Sequence, residues 1–462
     1  MEAGRDLWPR TARPLPWLLA GLLVLLFLVP QDGVELNIPS PVDPSIDRVA
    51  LLVVVCTWIV VAVLGRPGGK RRFAPPGLFL GTALLFFAFA LLSVVLNVGE
   101  IAGHDLFGLA LNRLALLCAF VMLAFFAVSA VRPAELPRFS ALIVFLAALT
   151  ALGVIWERRT GFNVFYDFFG GLFEPIASVT PAPTEIEPDP ERESRKTIVG
   201  PTEHGLAVTA MLAMTVPFAI VGFARGHDWK RWLYALAVAL IVAAALSTER
   251  KTAVLTPLAA GLVFAAYRPR ITVRMLPLLA VLAVFIGMAS PGALGTVSEL
   301  EKTFTSDSSA GRFDDYEAIA PQFLRHPLFG SGYGTRDIAD VEHVRILDNE
   351  YLALLLTVGL LGTALFLATI LAAMAVAHRA IRHGPAEYGD VALASSAACM
   401  VFLVVSLLFD SMSFSQAPYT FFLVAAFGTV AAGAGRARAP AAVPARARPD
   451  PPPAPTRPLG AA

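Results

Sequence analysis

Chemically capable side chains are concentrated in one polar segment, residues 291–349, which lies between two strongly apolar runs. At its end, Asp348 and Asn349 stand directly before the apolar run EYLALLLTVGLLG. A carboxylate can take a proton from a hydroxyl group, so Asp348 is a candidate general base. Capping of the following helix is the alternative role for one member of the pair. Reserve candidates for the base lie in the same segment: Asp314, Asp315 and His343.

Cationic residues next to the membrane form a second group of candidates. Arg250 and Lys251 lie in the short turn STERKT between two apolar runs, and Arg113 lies near the predicted outer end of another run, residues 107–130. Ionisable residues at such positions are costly and often functional, although long cations also snorkel to lipid headgroups. An anion that arrives on a lipid would meet these cations at the membrane surface. Arg312 opens RFDDYEAIAPQFLRHP, whose apolar residues can share one face of a surface helix.

The segment HPLFGSGYG, residues 326–334, is rich in glycine. Its His-Pro pair predicts the end of a helix, and its three glycines permit tight backbone turns. The segment lacks a following Lys-Ser/Thr pair, so it is weak evidence for a phosphate-binding loop.

The elements that position these residues must be membrane helices. Hydrophobic residues make up 56% of the chain, charged residues make up 15%, and the mean hydropathy is +0.68. Repeated apolar runs match the roughly 20 residues that cross a bilayer. We therefore predict an all-α polytopic membrane protein with about twelve spans. They lie near residues 15–30, 48–65, 76–95, 107–130, 139–156, 203–223, 232–248, 252–267, 272–290, 351–377, 389–409 and 417–433.

The connections between these runs alternate in charge. One set is short and basic, as in RPGGKRR and YRPRITVR, and the other is acidic or mixed. Because Lys and Arg accumulate in short cytoplasmic loops, both termini are predicted inside. Residues 157–203 and 291–349 then form outer loops, the second between spans nine and ten. The transmembrane domain covers residues 1–432, and the Ala/Pro/Arg-rich residues 433–462 form a disordered cytoplasmic tail.

Several segments resemble the O-antigen ligase and polymerase family of membrane glycosyltransferases. The resemblance rests on Arg312, then HPLFGSGYG, then DNEYLALLLTVGLLG at residues 348–362, in that order and spacing. GPTEHGLAVTAMLAMTVPFAI (200–220) and ALSTERKTAVLTPLAAGLVF (245–264) are similar to two earlier elements of the family. The motifs cover about residues 195–375, and the family implies a GT-C-like arrangement of helices.

The resemblance also implies roles for individual residues. Arg250 and Arg312 match arginines that hold a lipid diphosphate, with Lys251 and Arg113 as supporting candidates. Asp348 takes the position where ligases carry His, followed by Asn349, and His204 lies where many members have Asn. In this interpretation Arg312 and Asp348 are catalytic, and neither a metal nor a cofactor is required.

The implied reaction moves a glycan from a polyprenyl-diphosphate-linked oligosaccharide to a hydroxyl of a glycan or lipid-linked acceptor. It would occur on the extracytoplasmic face of the bacterial cytoplasmic membrane, and no nucleic acid is involved. Two alternatives remain open at this stage. A transporter or flippase for lipid-linked sugars would show charges at mid-bilayer, paired broken helices and internal repeats. A peptidoglycan polymerase of the shape, elongation, division and sporulation type shares the general architecture.

Overall fold

The protein is described by a computed structural model whose described residues are 13–31, 33–40, 42–64, 77–183, 186–187, 195–248, 250, 252–270, 272–273, 319–335 and 349–438. Helices dominate these residues, and they are numbered here in chain order. They are α1 (Pro14–Leu28), α2 (Ile46–Leu64), α3 (Leu78–Leu96), α4 (Val98–Gly103), α5 (Phe107–Ala130), α6 (Leu136–Thr160), α7 (Gly205–Arg225), α8 (Asp228–Ser247), α9 (Thr252–Tyr267), α10 (Glu350–Thr357), α11 (Gly359–His383), α12 (Ala386–Leu408) and α13 (Gln416–Arg438).

Eight helices within the described residues are long and apolar enough to cross a membrane. They are Leu78–Leu96, Phe107–Ala130, Pro133–Thr160, Gly205–Arg225, Asp228–Ser247, Gly359–His383, Ala386–Leu408 and Gln416–Ala434. Two shorter apolar helices, Pro14–Leu28 and Thr252–Tyr267, accompany them. The expectation of an all-α polytopic membrane protein is confirmed. The predicted ninth span, 272–290, falls almost entirely outside the described residues, and the count of about twelve spans stays a prediction.

The most buried helices, α7, α12 and α13, form the centre of the fold. α12 packs against α7, α9, α11 and α13, and α13 also packs against α5. Small residues allow α12 and α13 to approach closely: Ser395 Oγ donates to the carbonyl of Val424 at 2.6 Å. A Cβ on Gly428 would lie 2.4 Å from the same hydroxyl. Small residues at contacts between helices are typical of proteins in lipid, because dispersion contacts hold such helices together.

The predicted outer loop 157–203 is folded against the helix ends in its described parts. α6 runs on to Thr160, and the fully buried Glu157 accepts hydrogen bonds from the amides of Val199 (3.4 Å) and Gly200 (2.9 Å). Two short antiparallel sheets complete the loop region. They pair β1 (Val34–Leu36) with β2 (Ala177–Val179), and β3 (Ile186–Glu187) with β4 (Arg195–Lys196).

Polar contacts join connections that were predicted to share a side of the membrane. On the predicted inner side, Arg13 pairs with Glu135 at 2.5 Å, and Arg225 pairs with Asp390. On the predicted outer side, β1 pairs with β2, and the amide of Asp43 donates to Asn112 Oδ1 at 2.9 Å. These contacts agree with the alternation of the loops. The absolute orientation, with both termini in the cytoplasm, stays a prediction.

The last helix extends further than predicted. α13 continues to Arg438, past residue 433, where the tail was expected to begin. Residues 433–438 contain no proline, whereas Pro440 follows soon after. A residue that precedes proline disfavours the helical conformation, so the helix ends there. Residues 439–462, which hold the remainder of the predicted tail, lie outside the described residues.

Candidate functional site

Four of the predicted site residues are described by the structure: Arg113, His204, Arg250 and Asn349. All four lie at the predicted outer end of the bundle, at the beginnings of helices α5, α7, α9 and α10. The other predicted site residues lie outside the described residues: Lys251, Arg312, Asp314, Asp315, His343 and Asp348.

The turn before α7, residues 200–204, lies at the centre of this outer end. His204 is the N-cap of α7, and its Nδ1 accepts a hydrogen bond from the amide of Leu206 at 3.2 Å. The imidazole also stacks on Phe414, with ring centroids 5.4 Å apart. His204 therefore has a structural role, because it satisfies one of the amides that a helix N-terminus leaves unpaired.

Arg250 approaches the same turn from the connection between α8 and α9. Its Nε would lie 3.7 Å from a Cβ placed on Gly205, the first residue of α7. The buried Thr248 joins this connection to α7 through a 2.8 Å hydrogen bond between its hydroxyl and that of Thr209. The guanidinium of Arg250 thus lies beside the N-terminus of a 21-residue helix, where the helix dipole adds positive potential.

Arg113 approaches from α5 on another side. Its guanidinium donates to the carbonyl of Ser413 at 2.8 Å. The stem of the arginine packs on the glycine-rich segment, because a Cβ on Gly334 would lie 2.7 Å from the Cβ of Arg113. Arg113 therefore links three parts of the chain: α5, residues 326–334 and the turn at residues 411–413.

Glu203 is a candidate that the sequence analysis did not single out. Its side chain is exposed to solvent. Partial desolvation by neighbouring residues raises the pKa of the carboxyl, while the charges of Arg113 and Arg48 lower it. The signal in the sequence was a carboxylate next to His204 in GPTEHG, directly before an apolar run. Ionisable residues at such a boundary are functional candidates by default.

The start of α10 is tied to the same region. Asn349 is its N-cap, and its Oδ1 accepts from the amides of Tyr351 at 3.0 Å and Leu352 at 3.4 Å. The expectation that one member of the Asp348–Asn349 pair caps this helix is confirmed for Asn349. The buried Glu350 accepts from the amide of Met412 at 2.8 Å, next to the Ser413 carbonyl that holds Arg113.

The predicted tenth span, 351–377, is interrupted, which the sequence analysis did not anticipate. α10 ends at Thr357, and α11 begins at Gly359, whose φ of 67° lies in the left-handed region. In a continuous helix, the amides of Leu360 and Leu361 would donate to the carbonyls four residues earlier. The interruption removes these two bonds, and unpaired backbone groups are costly within a bilayer.

The glycine-rich segment, residues 326–334, replaces both bonds. The amides of Ser331 and Gly332 each donate at 2.9 Å to the carbonyls that the helix leaves free, those of Leu356 and Thr357. The amide of Leu360 donates to Pro327 O at 2.9 Å, and that of Leu361 donates to Leu328 O at 3.4 Å. The backbone of this segment is therefore engaged by α10 and α11, which gives the glycines a structural role.

Close backbone contact explains why glycine is needed on both sides. A Cβ on Gly359 would lie 2.4 Å from the carbonyl carbon of Leu328. A Cβ on Gly330 would lie 2.3 Å from the carbonyl carbon of Thr357. Both residues also have positive φ, 67° and 68°, which L side chains rarely adopt.

We therefore expect Gly359→Ala to lower the free energy of unfolding by more than about 1 kcal/mol, because strain and a clash add together. The matched control is Gly261→Ala in α9, where a Cβ meets nothing within 4 Å. Thermal unfolding in detergent measures both variants. Equal melting temperatures for the two variants would contradict the close contact between the glycine-rich segment and the interrupted helix.

One comparison with known proteins identifies this part of the chain. Residues 235–367 match the family model described as O-antigen ligase. These residues are therefore similar to the O-antigen ligase family. The resemblance drawn from the sequence motifs is thereby confirmed over residues 235–367, and it supports glycan transfer of the O-antigen ligase or polymerase type in general. No match was found among curated proteins.

The matched region, residues 235–367, contains Arg250, the glycine-rich segment, the interruption between α10 and α11, and Asn349. Arg113, Glu203 and His204 lie outside the matched region in sequence, but Arg113 packs against Gly334 within it. Within the described residues, no group of three or more His, Cys, Asp or Glu side chains is placed to hold a metal ion. Whether the reaction proceeds without a metal stays a prediction.

Proposed function

We propose that the protein transfers a glycan from a polyprenyl diphosphate to an acceptor hydroxyl at the outer face of the cytoplasmic membrane. It would act as a polymerase or ligase of a surface polysaccharide. The observation that carries the proposal is the approach of Arg250, from within the residues that match the O-antigen ligase family, to the N-terminus of α7. A fixed cation beside a helix N-terminus favours binding of a phosphate group.

Binding of the donor diphosphate is assigned to Arg250 and Arg312, with Lys251 and Arg113 as supporting residues. When the glycosidic bond to the diphosphate breaks, the bonding electrons leave with the diphosphate, and its negative charge grows. Arginines held in place at a site of low dielectric constant stabilise that charge without having to reorganise.

Asp348 is assigned the role of general base for the acceptor hydroxyl. The hydroxyl oxygen forms the new bond to the anomeric carbon, and its proton passes to the carboxylate. The capping contacts of Asn349 support this assignment, because α10 already has its N-cap without Asp348. Asp314, Asp315 and His343 remain reserve candidates for the same role.

Reconstitution with a polyprenyl-diphosphate oligosaccharide tests the proposal. The expected products are longer or transferred glycans together with free polyprenyl diphosphate. Movement of intact donor across vesicle membranes without bond cleavage would contradict the proposal and favour the transporter hypothesis, for which an interrupted helix is one expected feature.

The surface glycan of a deletion strain distinguishes a polymerase from a ligase. Single-repeat chains indicate a polymerase, whereas full-length chains left on the lipid carrier indicate a ligase.

We also expect transfer to survive removal of divalent cations, because the arginines supply the positive charge that a metal would supply. Initial rates should change less than about two-fold when EDTA is added to purified protein, a change too small for loss of a charge-stabilising group. Loss of activity that Mg²⁺ or Mn²⁺ restores would contradict this expectation.

A further inference from the structure

Three charged side chains from three elements meet beside the α7 turn without direct pairing. Arg113 comes from α5, Arg48 from α2, and Glu203 from the turn itself, and both arginines act electrostatically on the glutamate. Arg113 is held by the carbonyl of Ser413 at 2.8 Å, and Arg48 is held by the carbonyl of Asp43 at 3.1 Å. Within the described part of the chain, neither arginine forms a salt bridge with Glu203.

Two buried side chains near these charges have a polar atom without a partner: Asp47, which precedes Arg48, and Gln416, which contacts Pro201 in the α7 turn. Asp47 is only 1% exposed; its Oδ2 accepts from the hydroxyl of Tyr419 at 2.8 Å, while its Oδ1 has no hydrogen-bond partner among the described residues. Gln416 is equally buried; its Nε2 donates to Pro201 O at 3.2 Å, while its Oε1 is likewise unsatisfied. Buried polar groups are almost always paired, so such atoms call for an explanation.

The mixture of donors and acceptors selects a class of ligand. The Nε of Arg48 is also buried and unsatisfied, so the region holds an unpaired donor as well as the unpaired acceptors of Asp47 and Gln416. Each hydroxyl of a sugar both donates and accepts, and it can therefore match such a set. A polyanion fits less well, because the carboxylates of Asp47 and Glu203 offset the positive charges of Arg48 and Arg113.

We propose that Arg48 and Glu203 form a binding subsite for the acceptor saccharide, with Asp47 and Gln416 behind them and Arg113 at its border with the donor site. This inference rests on the proposed function. Arg250 reaches the α7 turn from the α8–α9 connection, whereas Arg48 and Arg113 reach it from α2 and α5. The acceptor and the donor diphosphate would thus meet across the turn that contains Glu203.

Glu203 is suited to this task because Arg48 and Arg113 act on it electrostatically, yet neither forms a salt bridge with it among the described residues. Its carboxylate can accept hydrogen bonds from two hydroxyl groups of a sugar ring. In this role Glu203 positions the acceptor, and Asp348 remains the residue that takes the proton.

Initial-rate kinetics with Glu203→Gln test the inference, since the substitution keeps the shape of the side chain and removes its charge. We expect the KM for the acceptor to rise at least about 10-fold, the usual effect of losing a hydrogen bond to a charged group. The kcat and the KM for the lipid-linked donor should change much less. Glu174→Gln is the matched control, because Glu174 is exposed in the same outer loop region.

Direct binding separates this inference from the proposed function. The probes are neutral oligosaccharides cut from the host surface glycan, and inorganic pyrophosphate. Glu203→Gln should weaken oligosaccharide binding and leave pyrophosphate binding unchanged, whereas Arg250→Ala should do the reverse. Oligosaccharide binding that Glu203→Gln leaves intact, or a loss of pyrophosphate binding instead, would overturn the subsite. If the wild-type protein transfers no glycan, the proposed function is wrong. The saccharide subsite would still stand if the wild type binds the oligosaccharide and Glu203→Gln does not.

Discussion

Replacement of Arg250 by alanine is expected to reduce glycan transfer by at least about 100-fold, the usual effect of removing a group that stabilises developing charge. The arginine lies beside the N-terminus of α7, where its guanidinium would meet the leaving diphosphate. Arg250→Lys should recover part of the rate, because lysine restores the charge but not the two-pronged geometry of the guanidinium. Transfer assays on equal amounts of membrane-inserted protein measure the effect.

Arg270→Ala is the matched control for this experiment. Arg270 is exposed beyond the other end of α9, whereas Arg250 lies directly before α9 begins. Both variants remove one arginine near the same helix, but only Arg250 lies at the predicted outer end. Full activity of Arg250→Ala, or equal losses in the two variants, would refute the diphosphate role. Arg312→Ala is expected to behave like Arg250→Ala.

Replacement of Asp348 by asparagine is expected to lower kcat by about 100-fold to 10,000-fold, the range found when a general base is lost. Because Asn349 supplies the N-cap of α10, the variant should fold with little change in melting temperature. Single-turnover transfer with bound donor and saturating acceptor measures the chemical step directly.

Asn349→Ala serves as the opposite control. Loss of this cap should destabilise the helix by about 1 kcal/mol and lower the melting temperature, while the base itself is retained. If Asp348→Asn keeps wild-type turnover, Asp348 is not the base, and the reserve candidates Asp314, Asp315 and His343 become the next targets.

The helical architecture could be predicted because lipid imposes simple rules on a sequence. Apolar runs of sufficient length have to become helices, so the bounds of α5 and α9 were foreseen almost to the residue. The interruption at Val358 could not be foreseen in this way, because it depends on hydrogen bonds supplied by residues 326–334. Hydropathy reports the environment of a segment and carries no information about distant backbone partners.

The candidate site was only partly visible in the sequence. Arg113 and Arg250 were found because cations at a membrane boundary are costly, and the structure brings both to the α7 turn. Glu203 and Asp47 were missed because their significance lies in their neighbours. Asp47 is buried against Tyr419, 372 residues later in the chain, and no local pattern encodes that contact.

The hydrogen bonds that the glycine-rich segment makes with α10 and α11 should be visible in hydrogen–deuterium exchange. The amides of Leu360 and Leu361 are in the first turn of α11, and they are held by Pro327 and Leu328 rather than by their own helix. Their hydrogen–deuterium exchange should therefore follow detachment of residues 326–334, together with that of Ser331 and Gly332. Four amides in two distant peptides then report one opening event, and their exchange rates can be compared with and without substrate.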